Sequence, residues 1–265
     1  MQNFVVNADA TINVLALLPE ILLTILAALV VLLDVFFPAS RRRAIGLIAA
    51  FGLFIIAAVA FFLPNLLGLL PNSANLVAAA TPNNQLILGG MLRYDVMTQL
   101  FVVITLIGAG IAALISVESP VLGGQGEFYA VMIVATLGAC LITGAADLIM
   151  VFLALETLSI SLYVLAGFLN RNPRSAEAGM KYFLFGAFTS TIMLYGMSLL
   201  YGFTHQTNLY AMGSVLRSLP FVNPDQSINA GVALPILLSM VLILVGFGFK
   251  VSAVPFHFWT PDVYE

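Results

Sequence analysis

Apolar residues in this chain fall in long unbroken runs, without the alternating or one-sided pattern of a fold that faces water. A helix needs about 20 mostly apolar residues to cross a bilayer. Seven stretches have that length: Val14–Leu33, Ala44–Leu63, Val96–Val117, Phe128–Ala146, Leu148–Leu169, Ala178–Phe203 and Gly231–Trp259. The pattern predicts an all-α, polytopic transmembrane helical bundle, a single integral membrane domain over residues 1–265. Two connections, Pro64–Asp95 and Thr204–Ala230, are rich in Asn and Pro and read as loops with room for short re-entrant or hairpin pieces. Gly123–Gly124–Gln125–Gly126 lacks the Lys-Ser/Thr of a phosphate loop and reads as a turn.

Composition agrees with the pattern. Hydrophobic residues make up 62% of the chain and charged ones 8%, against roughly 25% charged in ordinary soluble domains. The net charge of −3 and the lack of an extended basic patch argue against nucleic-acid binding. A lone cysteine, Cys140, excludes an intrachain disulfide and a Cys-rich cluster. His205 and His257 stand far apart, with no carboxylate at ligand spacing. No redox cofactor or metal is therefore expected in this chain. The first thirteen residues carry no Lys or Arg, so a cleavable signal peptide is not expected and the first span reads as retained. Arg41, Arg42 and Arg43 fall between spans one and two, and Arg171 and Arg174 between five and six. The alternate side holds Arg93 and Arg217. By the positive-inside rule the N-terminus is predicted outside.

A charge in the middle of a membrane helix costs about 2.5–3.5 kcal/mol on insertion scales, so each one requires an account. Glu156 lies about fourteen residues, roughly 20 Å of helix, from the end of its span at Asn170. Ser159 and Tyr163 share its face. Such a carboxyl is either kept protonated between helices or marks an ion pathway. Lys250 precedes Trp259 by nine residues, roughly 13 Å if helical, and sits beside Gly246, Gly248 and Pro255, which give that helix the makings of a break. It reads as a proton carrier or as a long side chain reaching the interface. Lys181 follows Glu177 by four residues, the favourable order for a helical ion pair, and reads equally as a surface pair or as a third group of the proton path. His257 reads equally as an interface anchor or as a relay member.

The run GFGFKVSAVPFHFWTPDVYE (Gly246–Glu265) resembles the signature of subunit N of the bacterial respiratory NADH:quinone oxidoreductase, complex I, and of the similar plastid and cyanobacterial subunit 2. FLALETLSISLYVLAGF (Phe152–Phe168) resembles that family's glutamate helix. SAEAGMKYFLFGAFTSTIMLYGMSLLYG (Ser175–Gly202) is similar to the helix that follows it. LLPEILL (Leu17–Leu23) and Arg93–Asp95 fit as well.

The resemblance implies an antiporter-like fold of about fourteen spans, with inverted repeats each built around a broken helix. It implies a glutamate on the fifth helix and a lysine on the broken seventh, matched by Glu156 and Lys250, and a sixth-helix lysine matched by Lys181. Flavin and iron–sulfur clusters, and quinone as substrate, are implied for the rest of the complex. The implied partners are other membrane-arm subunits, including sister antiporter-like subunits, in the inner membrane. The family continues beyond the equivalent of Glu265, so a fragment, a split gene or a truncated product is expected. A multisubunit Na⁺/H⁺ antiporter subunit and a structural membrane anchor are the alternative readings. An anchor leaves the buried charges unexplained.

Overall fold

A computed structural model of the chain describes residues 10–38, 42–69, 74–82, 84–169, 171–221 and 227–264. Arg41, Asn170, Glu265 and most of the residues used to judge a signal peptide lie outside the described residues. Seven helices are long and apolar enough to cross a membrane. The expected number of spans is met, and Val96–Val117 matches its expected bounds. The chain divides into two compact units, Met1–Ala146 with Leu153–Leu165, and Asp147–Phe152 with Ala166–Glu265.

The first unit begins with the short α1 (Ala10–Ala16) and then α2 (Leu18–Phe36), which Pro19 opens in its first turn, where the missing N–H costs nothing. The span therefore starts four residues later than its apolar run suggests. Next come α3 (Arg43–Leu67) and α4 (Ala74–Ala80). Pro64 lies inside α3 and cannot donate to the carbonyl of Ala60. Gln99 Nε2 from α5 (Val96–Val117) donates to that oxygen instead, at 2.6 Å. The break in the ladder thus becomes a cross-link between helices. A hairpin, β1 (Gln85–Ile87) and β2 (Leu92–Tyr94), precedes α5 with Gln85 opposite Tyr94. The first long connection thus carries a hairpin as well as a short helix. Its turn places Leu88, Gly89 and Gly90 at positive φ, which Gly tolerates at little cost.

Asp95 starts α5 by accepting from Thr98 N at 2.8 Å, and also pairs with Arg93 Nε at 2.9 Å. α6 (Gly126–Gly144) begins two residues earlier than expected, at the end of the glycine-rich turn. Leu23, Val30, Ile45, Leu53, Leu106, Tyr129 and Ile133 form the centre of this unit's core. The middle of α7 (Leu148–Ala166) belongs here too. A Cβ added at Gly138 of α6 would stand 2.5 Å from Leu158 N, so only glycine lets these two backbones approach.

In the second unit, Asp147 caps the start of α7 by accepting from Ile149 N, and Leu148 N donates to Thr207 O. α8 (Pro173–Thr204) runs 32 residues, from an Asn172 cap with Pro173 at its first position to His205 in the left-handed conformation. It packs along α10 (Ala230–Lys250), where a Cβ on Gly196 would meet Ser239 O at 2.8 Å. α9 (Leu209–Ser218), capped by Asn208, lies within the second long connection.

The seventh span is the largest correction. It was expected to reach Trp259, but α10 ends at Lys250, and the residues beyond it are turns leading into the short α11 (Thr260–Tyr264). The roughly 13 Å of helix expected after Lys250 is not there. Pro255 is the reason: it has no N–H, its ring clashes with a helical carbonyl four residues back, and it disfavours a helical Val254.

Candidate functional site

The end of α10 organises a cluster of charged and aromatic side chains. Ser252 takes a left-handed conformation with φ 56°. Its N–H donates to Phe249 O at 3.1 Å, and Ala253 N donates to Gly248 O at 2.8 Å. These two bonds form a Schellman cap, which satisfies carbonyls that a helix end would leave bare. Lys250 is the last helical residue before that cap. An added Cβ on Gly248 would stand 3.3 Å from the Phe256 ring, so glycine lets the following loop fold back.

The loop returns Trp259 against the helix end. Trp259 is buried, and its Nε1 donates to Phe249 O at 3.2 Å. Its ring stacks on Tyr182 of α8, with centroids 4.2 Å apart and planes 11° off parallel, while Phe249 flanks both rings. The ammonium of Lys250 rests on this platform. Nζ donates to Tyr182 Oη at 3.4 Å and lies 5.6 Å from the centre of that ring, within cation–π range.

Lys181, next to Tyr182 on α8, has a different setting. Its Nζ lies 2.7 Å from Glu177 Oε1 and 2.9 Å from Asp262 Oδ2 of α11. The expected pair with Glu177 is present, and Asp262 makes it a clamp. His257 lies in the loop after the break, its ring stacked with Phe258 and its Nδ1 buried with no hydrogen-bond partner among the described residues.

Glu156 belongs to the first unit. Its Oε1 is buried with no hydrogen-bond partner among the described residues. Ser159 and Tyr163, which share its face, are both buried. The second unit therefore brings together Lys181, Lys250 and the loop carrying His257, while Glu156 is held by the α6–α7 packing of its own unit.

Sequence reasoning missed Tyr182, Asp262 and the inward fold of Trp259. An aromatic beside a membrane lysine was the available signal for Tyr182. Asp262 follows a Thr-Pro pair that reads as the start of a helix, but nothing in the spacing pairs it with a residue 81 positions earlier. Among the described residues, no group of three or more His, Cys, Asp or Glu side chains is placed to hold a metal ion.

Residues 145–265 match the family model described as NADH:quinone oxidoreductase/Mrp antiporter, TM. The chain is 36% identical over 255 residues to "NADH-quinone oxidoreductase subunit N 2" of Chloroherpeton thalassium, covering 94% of this chain and 45% of that protein. It is 37% identical over 265 residues to "NAD(P)H-quinone oxidoreductase subunit 2" of Nostoc punctiforme, covering 98% of this chain and 44% of the relative. Its fold matches a chain of respiratory complex I from Thermus thermophilus with TM-score 0.65 and 29% identity, over 93% of this chain and 47% of that one. The fold and these likenesses define a multi-pass helical membrane protein of the antiporter-like class, placed in the inner membrane. Within that class the chain is a homologue of subunit N of NADH:quinone oxidoreductase. It spans about half the length of the curated relatives it matches.

Proposed function

We propose that this chain is part of a proton-translocating membrane-arm subunit of an NADH:quinone oxidoreductase. It would couple electron transfer from NADH to quinone, carried out by other subunits, to proton movement across the membrane. Its partners are then the other membrane-arm subunits, including sister antiporter-like subunits, and the N-terminus faces outside. The observation that carries this reading is Lys250 at a capped helix break, with its ammonium against the Tyr182 ring.

Two contacts hold that lysine: the C-terminus of its own helix and the ring and hydroxyl of Tyr182. A small movement of the loop after the break would disturb the Tyr182–Trp259 stack that supports the second, so Lys250 is suited to take up and release a proton. Glu156, whose Oε1 is buried in the other unit, is the matching acidic carrier. Lys181 is held between two carboxylates and serves to hold α11, and with it the loop of His257, against α8. His257 Nδ1 is the candidate next acceptor along that loop. A shift in proton occupancy at one group must bias the others by the same coupling free energy.

The test uses membrane vesicles from cells carrying Lys250→Ala, after the complex is shown to assemble. NADH-driven acidification and quinone reduction should fall together, by roughly tenfold or more. If both stay at wild-type levels, Lys250 carries no transported proton and the reading fails. The family model also covers Mrp antiporters. Proton movement that follows a sodium gradient without NADH would favour that alternative.

A further inference from the structure

Glu20 sits in the first turn of α2, where an acidic side chain usually faces water and complements the helix N-terminus. Here it lines a small cavity together with Leu17, Arg93, Tyr94, Thr98 and Cys140. The cavity offers about 20 Å³, room for one water molecule. Two polar atoms of its lining are buried with no hydrogen-bond partner among the described residues: Glu20 Oε2 and Thr98 Oγ1. The backbone N–H of Thr98 is already given to Asp95, so only its hydroxyl remains to serve the cavity.

The charged and titratable groups facing this space are Arg93 and Tyr94 from β2 and Cys140 from α6; the lining residues of α1 and α5 are uncharged. Arg93 is engaged with Asp95 at 2.9 Å. Tyr94, outside the spans, is pushed up to about 12 by burial and then by the negative charge of Glu20, so its phenol stays protonated at physiological pH. Dry cavities of this kind are apolar, whereas a polar one of this size takes water.

We propose that this cavity is a water-bridged protonation site. One water lies between Glu20 Oε2 and Thr98 Oγ1, and Glu20 takes up a proton through it. In the loading step a proton leaves a hydronium formed at the water position, an Oε2–H bond forms, and neutral water remains; release is the reverse. The site is separate from Glu156, Lys181 and Lys250 and does not rest on the function proposed above.

Infrared difference spectra across a pH titration test it, in H₂O and D₂O, on the chain purified from its native membranes with its whole assembly. Wild type should show a carboxylic-acid band that Glu20→Gln removes. Thr98→Val, which takes away the water's second anchor, should shift the midpoint of that band by roughly one pH unit, while Thr98→Ser keeps it. A Glu20→Gln spectrum equal to wild type overturns the proposal, because Glu20 then never carries the proton. A Thr98→Val titration equal to wild type also overturns it, because no bridging water then matters. If Glu20→Gln does not accumulate, the contrast between Thr98→Val and Thr98→Ser decides alone.

Discussion

The two units differ in how several of their buried polar groups are met. In the first, Glu20 Oε2, Thr98 Oγ1 and Glu156 Oε1 are buried without a hydrogen-bond partner among the described residues. In the second, Lys181 is clamped by two carboxylates, Trp259 Nε1 is bound to a helix-end carbonyl, and the buried Ser239 hydroxyl donates to Ile236 O at 2.7 Å. His257 Nδ1 is the exception there. A buried polar atom without a hydrogen-bond partner is costly, so it calls for water or another partner. A satisfied network instead fixes geometry. The first unit thus holds buried polar atoms that the fold leaves unmet, and the second holds a hydrogen-bonded frame that keeps one lysine at a helix break.

The sharpest way to break this comparison is to remove the frame. Trp259→Ala deletes the stack on Tyr182 and the cap on Phe249 O, and should cost about 3–5 kcal/mol. Trp259→Phe keeps a ring to stack and loses only the hydrogen bond, about 1 kcal/mol. Thermal unfolding of the purified assembly should rank wild type above the Phe variant and the Phe variant above the Ala variant. Equal melting of the Ala variant and wild type would mean the second unit is not held by this platform.

The sequence was most legible where one physical constraint dominated. Seven apolar runs became seven helices because lipid leaves the backbone little alternative. Ends were legible where a single residue decides them, as with Asp95 at the start of α5. Span seven was misread because hydrophobicity continues past Lys250 through Val251, Val254, Phe256 and Phe258, while the backbone obeys Pro255. The glutamate and the two lysines stood out by the cost of burying charge. Tyr182, Asp262 and Thr98 did not: their roles come from contacts with residues distant in sequence, or from a cavity that several elements enclose together. Glu20 falls in the LLPEILL run that the sequence singles out, but only the packing shows that it points inward.

The first unit's side of the comparison can be sharpened with pH. The phenol of Tyr94 ionises near 10 in the unfolded chain and is pushed up to about 12 in the folded one, by burial first and Glu20 second. The raised value means that the unfolded state loses its proton first. The stability from Tyr94 is therefore complete below pH 10 and is lost as pH rises toward 12. The total loss is about 2–3 kcal/mol. Denaturation midpoints measured from pH 9 to 12 should fall for wild type and stay flatter for Tyr94→Phe. Glu20→Gln, by removing the second cause, should leave the start of the fall near pH 10 and end it at a lower pH, with a smaller total loss. Identical profiles for wild type and Tyr94→Phe would show that bulk solvent, rather than burial, surrounds this phenol.

The smallest effect belongs to the clamp itself. Lys181, Glu177 and Asp262 have side chains 39%, 62% and 35% exposed, and ion pairs this open contribute little because water and salt screen them. Asp262→Asn leaves Lys181 its Glu177 partner and should lower the melting temperature by no more than about 2 °C, a difference that vanishes at high salt. Lys181→Met removes both pairs and should cost more than Asp262→Asn, yet still little, if the three groups act only through charge. A loss in Asp262→Asn as large as that of Trp259→Ala would reverse the argument. It would mean that neighbouring subunits or lipid cover the clamp and withdraw it from water. Lys181 would then be a cation withdrawn from water whose proton must be accounted for.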